Sequence, residues 1–398
     1  MAAARLPRDA ELKHEEHEET KGHEEFFGVV MGAGEIRVAV VGVGNCASTL
    51  VQGVTFYRRN PGEAVGLMHA ELGGLRVADI HFACAFEVDA RKVGKRLGEA
   101  VFEKPNNSRV FVRDPEDDGA RVFAGPLGDG VAGHLEKFAE GRRAVVDAGA
   151  RGTGRDAVVR VLRETGATVL VNYLPVGSQK ATEMYAEACL EAGVGMVNCI
   201  PVFIASDAGW GRRFAEKGLP LVGDDVKSQF GATVTHRVLM KLAQQRGMAI
   251  DSSYQLNVGG NADFLNMLER SRLGSKKTSK TEAVTSQVPL DAEHIHIGPS
   301  DYVPFLGDNK VCYVRMNMRG FGGLPMELDM KLSVEDSPNS AGVVVDAVRC
   351  AELARRGGVG GVLEEVSAAL MKRPLKQMEE GEAAAAMEAW IERVARVV

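Results

Sequence analysis

The sequence predicts an α/β protein, a Rossmann-type doubly wound parallel sheet interrupted by a second unit built on an antiparallel sheet. Three observations carry that expectation. Short apolar runs alternate with helical stretches from Ile36 to Val222, the pattern of a parallel sheet covered on both faces. A glycine-rich turn stands where the first such run meets the first helix. After Asp225 the texture changes to runs of period two with one polar face, which belong to an antiparallel sheet.

The elements follow in order. Residues 1–34 are a polar tail centred on ELKHEEHEETKGHEE. His14, His17 and His23 are metal-binding residue types, but so charged a tract buries too little to fold and reads as a solvated extension. Ile36 to Val41 reads as a buried strand and leads straight into Gly42-Val43-Gly44-Asn45-Cys46-Ala47 and a helix. A second strand, Ile80 to Phe86, precedes Glu87, Val88, Asp89 and a helical stretch from Ala90 to Ala100. Ala144 to Val146, a helix from Asp156 to Thr165, and a strand from Thr168 to Val171 come next. A helix from Gln179 to Ala192 and strands Val194 to Val197 and Leu219 to Val222 complete this part, expected as a dinucleotide-binding domain over 35–225.

In the second unit, expected over 226–334, Cys312, Val314, Met316 and Met318 alternate with Tyr313, Arg315, Asn317 and Arg319. Leu328, Met330, Leu332 and Val334 repeat the pattern, and Gly320-Phe321-Gly322-Gly323 joins the two strands. A helical segment from Ser340 to Arg355 opens the stretch 335–398, expected to return to the first domain.

Composition narrows the function. A chain of 398 residues is long for one core. A net charge of −6 leaves no excess of Lys and Arg to neutralise a nucleic-acid backbone, so any site for an anionic metabolite must gather its cations locally. The six cysteines form no C-x-x-C pair and fit free thiols in a reducing compartment. The start of the chain lacks a basic-then-apolar signal pattern, and the most apolar stretch, Val194 to Ala205, is broken by Asn198 and Pro201. No membrane partner and a cytoplasmic location are expected.

Gly42-x-Gly44-x-x-Ala47 follows a strand and opens a helix, the context that gives this motif meaning. Gly42 permits the tight turn, Gly44 lets a diphosphate approach the backbone, and Ala47 keeps helix and strand close. The free N–H groups at the helix start, around Asn45 and Cys46, then bind the phosphates of NAD. The ribose-binding acid ordinarily lies about 20 residues further on. Here Glu87 and Asp89 lie much further, with Val54 to Arg76 reading as an insertion. Asp89 is either a ribose contact or a helix N-cap.

Several segments together resemble the myo-inositol-1-phosphate synthase family in its short prokaryotic form. They are VGVGNCASTLVQG, NYLPVGSQKA, CIPVFIASDAGW, VGDDVKSQFGATVTHRVL, LNVGGNADFLNMLERSRLGSKKTSK, GPSDYVPFLGDNK and EDSPNSAGVVVDAVR, in that order over most of the chain beyond the tail. The resemblance implies a Rossmann domain interrupted by a catalytic and oligomerisation domain, an NAD cofactor and a homotetramer. It also implies an isomerase, inositol-3-phosphate synthase, acting on glucose 6-phosphate in the first step of inositol biosynthesis. C5 is oxidised, C6 loses a proton, C6 attacks C1 in an intramolecular aldol step, and C5 is reduced again.

That chemistry needs positive charge near a phosphate, an enolate and a C1 oxyanion, with proton carriers beside them. Lysine suits these roles because its surroundings tune its pKa. The resemblance implies Lys276 and Lys280 in SKKTSK, Lys310 in GDNK and Lys372 in MKRP. On the residues alone SKKTSK is a solvated charge run after a helix end, although Lys276 and Lys280 share a face if the stretch is helical. Asp224-Asp225 ends a strand at the edge where α/β sheets bind ligands, with a plain turn as the alternative. The resemblance places Ser228, Asp263 and Lys276 near the nicotinamide half of NAD and adds Asp225, Asp308 and Asp336. The last two either orient lysines or hold a metal, so a divalent cation joins NAD among the candidate cofactors. Tyr185 is a cofactor candidate with core packing as the alternative. An ordinary NAD-dependent dehydrogenase with net redox, or a non-catalytic NAD-responsive binding protein, would use the same glycine turn without needing all these lysines and acids.

Overall fold

The computed structural model describes residues 34–272, 274–286, 290–291, 293–298 and 301–398. His14, His17 and His23 of the expected tail lie outside the described residues. Seven parallel strands form the first sheet, in the order Gly361–Val362, Pro220–Gly223, Gly195–Asn198, Val169–Asn172, Ile36–Val41, Ile80–Glu87 and Val122–Ala124. Ile36–Val41 lies inside the sheet with both its faces apolar: Val38 and Val40 belong to one core cluster, Ala39 and Val41 to the other. The chain first builds outward through Ile80–Glu87, then crosses back to Val169–Asn172 on the other side. The crevice above the carboxyl ends of Ile36–Val41 and Val169–Asn172 is therefore a topological switch point, where such sheets take ligands.

The second sheet pairs Ala249–Gly259, Asn309–Arg319 and Pro325–Glu335 antiparallel, with the short Ile295–Ile297 and Asp301–Tyr302 alongside the first of these. Cys312, Val314, Met316 and Met318 are buried in one cluster with Ala232, Met240 and Ala243 of the helix Ala232–Gln245, as their alternation predicts. Pro325–Glu335 runs directly into the helix Asp336–Arg356, which crosses back to the parallel sheet. Every residue of that helix from Val343 to Ala354 is buried, so its charged members must pair. Arg349 meets Asp346, and Glu352 takes Arg355 at 2.7 Å and Arg356 at 2.8 Å.

Three sequence expectations need correction. The stretch from Ala90 to Ala100 is a series of turns with only Leu97–Ala100 helical, because Gly94 adopts φ +84° and gives its N–H to the Val122 carbonyl. Ala144 to Val146 forms a single bridge from Val146 to Asp89, and Val122–Ala124 is the sheet's outer strand instead. The expected insertion from Val54 begins later, since the first helix, Asn45–Arg59, runs on through it. Among the described residues no helix is long and apolar enough to cross a membrane.

Candidate active site

Glycine is obligatory at the start of the turn. Gly42 has φ +83°, and a Cβ there would lie 2.8 Å from the Tyr173 carbonyl oxygen. Gly44 precedes the helix Asn45–Arg59 with no side-chain cap, and a Cβ on it would meet nothing within 4 Å. Open space thus faces uncapped N–H groups at the positive end of a fifteen-residue helix. Ala47 is fully buried, which keeps that helix close to the sheet.

The neighbouring side chains are mostly committed to the protein. Asn45 accepts the Asn107 N–H at 2.9 Å and donates to Asp308 at 2.9 Å. Cys46 has its sulfur 3.9 Å from the hydroxyls of Ser337 and Ser340, and burial pushes its thiol up to about 12, so it stays neutral. Glu87, the last residue of its strand, accepts the Val43 N–H at 2.8 Å. Asp89 begins no helix, which removes the N-cap reading. Its buried carboxylate takes the Arg91 Nε at 2.8 Å and the Val145 N–H at 3.3 Å. Tyr185 does not line the cleft: it is 2 % exposed, with its ring 5.7 Å from that of Phe86 in the core.

From this turn a cleft of about 290 Å³ runs along the carboxyl edge of the parallel sheet. Asp225, Ser228, Asp263, Lys310, Asp336 and Lys372 line it beyond the turn, brought together from the strand ends and the adjoining loops and helices. Lys372 places Nζ 2.9 Å from Asp225 and gives its backbone N–H to the Asp225 carbonyl. Ser279 donates to the same carboxylate at 2.7 Å, which anchors the helix Gly274–Thr285 at the cleft. Lys276 and Lys280 belong to that helix, and their side chains lie outside the described residues. Asp224 points the other way. It is fully buried, accepts Asn198 and the N–H groups of Ile204, Ala205 and Ser206, and burial raises its carboxyl to about 6. The adjacent acids therefore divide the work: Asp224 holds the 200–206 loop and Asp225 faces the cleft.

Lys310 lies 3.2 Å from Asp336. Burial pushes the ammonium down, but the Asp336 carboxylate more than offsets this, and its pKa lies above the ordinary value. Asp308 meets no lysine among the described residues. It accepts Asn45, Asn261 at 3.0 Å and Ser337 at 2.9 Å, all neutral, and burial with Asp336 nearby raises it to about 6. Its bonds tie the first helix, the 261 loop and the helix Asp336–Arg356 together. Asn261 caps the short helix Ala262–Asn266, which presents Asp263. Among the described residues no cluster of three or more His, Cys, Asp or Glu is arranged to hold a metal ion. One cleft residue gave no sequence signal: Lys92, buried beside Val43, is one of several basic residues from Arg91 to Arg96.

A Rossmann-type sheet with an open glycine turn, sharing its cleft with Lys310 from the second sheet and Lys372 from the segment after the helix Glu364–Leu370, defines an α/β enzyme that acts on a small ligand in this cleft. Comparison with known proteins makes the class specific. A family model described as myo-inositol-1-phosphate synthase matches residues 231–337. The inositol-3-phosphate synthase of Mycolicibacterium smegmatis is 51 % identical over 369 residues, covering 90 % of this chain and 99 % of that one. That of Corynebacterium glutamicum is 48 % identical, covering 91 % and 99 %. The crystal structure of a myo-inositol-1-phosphate synthase-related protein from Thermotoga maritima superposes with a TM-score of 0.74 at 26 % identity, covering 90 % and 98 %. The chain belongs to the myo-inositol-1-phosphate synthase family.

Proposed function

We propose that this chain converts D-glucose 6-phosphate to 1D-myo-inositol 3-phosphate with NAD as a cofactor that is regenerated in each turnover. The observation that carries the reading is one cleft lined both by the Gly42–Ala47 turn and by the Lys310–Asp336 and Lys372–Asp225 pairs. The turn suits a dinucleotide, because Gly44 leaves room and the helix behind it has no side-chain cap. When bound, NAD supplies reversible hydride transfer at C5 of the sugar. Residues 35–225 and 335–398 form the cofactor-binding domain and also contribute Asp225, Asp336 and Lys372 to the cleft, while 226–334 supply further catalytic groups and assembly.

The protein's own groups carry the remaining chemistry. Lys310, held charged by Asp336, stabilises negative charge as it develops on oxygen. Lys372, placed by Asp225, is a second cation in the same cleft, and the helix anchored by Ser279 brings Lys276 and Lys280 to this region. A cleft that gathers lysines in a chain of net charge −6 favours a phosphorylated substrate. Glucose 6-phosphate deuterated at C5 tests the reading. Deuterium is expected to stay on the corresponding inositol carbon, with no net NADH absorbance as substrate disappears. Stoichiometric NADH would make this a simple dehydrogenase.

The same reading includes a homotetramer. Tyr254, Leu256 and Tyr313 stand exposed on the second sheet, opposite its buried face, and Pro325–Glu335 is an open edge. Sedimentation velocity of the purified chain should show four copies, and a monomer at micromolar concentration would overturn that assignment.

A further inference from the structure

Lys92 has no place in the chemistry above, yet its setting is unusual for a lysine. It is 2 % exposed, it lines the cleft, and its Nζ donates to the Val43 carbonyl at 2.7 Å and to Asn106 Oδ1 at 2.8 Å. Both acceptors are neutral, and an ammonium has a third N–H to give. Lys227, Lys310 and Lys372 each have a carboxylate at 3.0, 3.2 and 2.9 Å, whereas Lys92 has none within ion-pair distance among the described residues. The two acids at this end of the cleft have other bonds. Glu87 accepts the N–H groups of Val43 and Val88, and Asp89 takes Arg91. Burial accordingly lowers the ammonium's pKa, with Glu87 and Asp89 opposing only in part.

A buried cation without a counter-ion is costly, and an arriving anion relieves that cost. The turn itself, from Gly42 to Ala47, contains no Lys or Arg, and Lys92 is a buried cation bonded directly to it through the Val43 carbonyl. Resting on the reading that the cleft takes NAD, we propose that Lys92 supplies the positive charge that the cofactor's diphosphate meets at the glycine turn, in addition to the main-chain N–H groups. Its bond to Val43 fixes the ammonium against the turn, so the charge is in place before the ligand binds.

The experiment titrates wild type, Lys92→Met and Lys92→Gln with NAD, ADP and adenosine by calorimetry. Gln keeps a donor for Val43 and loses the charge. In Lys92→Met the Val43 carbonyl still has Asn106 Nδ2 at 3.1 Å, so the turn is not stripped of partners. Both variants should bind NAD and ADP roughly 10- to 100-fold more weakly, the worth of a lost charged hydrogen bond, and adenosine within about threefold of wild type. Equal losses for all three ligands would mean that Lys92 only props the turn, and unchanged NAD affinity would show that it meets no anion. Should wild type bind neither NAD nor ADP, the cofactor reading fails first and this proposal with it.

Discussion

Lys310→Ala is expected to lower kcat by about 100-fold or more while NAD still binds, the usual consequence of removing one transition-state stabiliser. The strand Asn309–Arg319 places Lys310 between Gly259 and Val334, paired to both neighbours, so the side chain enters the cleft from the middle of a sheet and not from a loop. Burial alone would favour the neutral amine, and Asp336 reverses that preference. Lys310 is thus a fixed cation at neutral pH, suited to oppose developing negative charge more than to shuttle a proton. Asp336→Asn separates the two effects. Without that carboxylate, burial is opposed only by smaller influences such as Asp263 and the Lys310 pKa falls, so the alkaline limb of the kcat profile should move to lower pH. Lys331→Ala, on the exposed face beside Tyr313, should leave kcat unchanged. An Asp336→Asn profile that superposes on wild type would mean that Lys310 does not act as a cation in turnover.

The parallel sheet was legible because strands buried on both faces write continuous apolar runs, such as Ile36–Val41 and Val169–Asn172. Asn309–Arg319 was legible for the opposite reason, with a clean alternation of buried and exposed residues. The long strand between them in the second sheet, Ala249–Gly259, was missed because its pattern is inverted. Ser253, Gln255 and Asn257 are buried while Tyr254 and Leu256 are exposed, so apolar periodicity points away from the core. Within the site, the glycine turn was readable from local geometry. Asp308 was named only through the family resemblance, because its bonds reach Asn45 and Asn261, 263 and 47 residues away. Lys92 was hidden among basic neighbours by a loop that only Gly94 and the Val122 strand reveal.

Asp225→Ala is expected to be the most damaging change in the cleft, with kcat lower by about 1,000-fold, the upper end for removing one electrostatic group. Asp225 joins the end of the strand Pro220–Gly223, the Lys372 ammonium at 2.9 Å and, through Ser279, the helix that carries Lys276 and Lys280. It holds φ +63°, which Asp and Asn tolerate better than Ala, so Asp225→Asn is the cleaner variant: it keeps the turn and removes the charge. Asp225→Asn should cost about 100-fold and Ser279→Ala about tenfold or less, since Ser279 affects only the helix. If Asp225 works by placing Lys372, then Asp225→Asn combined with Lys372→Ala should be no worse than Lys372→Ala alone. NAD affinity, measured by calorimetry, should stay within a few-fold of wild type throughout, because the glycine turn is untouched. Losses that multiply in the double variant would show that Asp225 acts on the substrate independently, and the pair would have to be read as two separate groups.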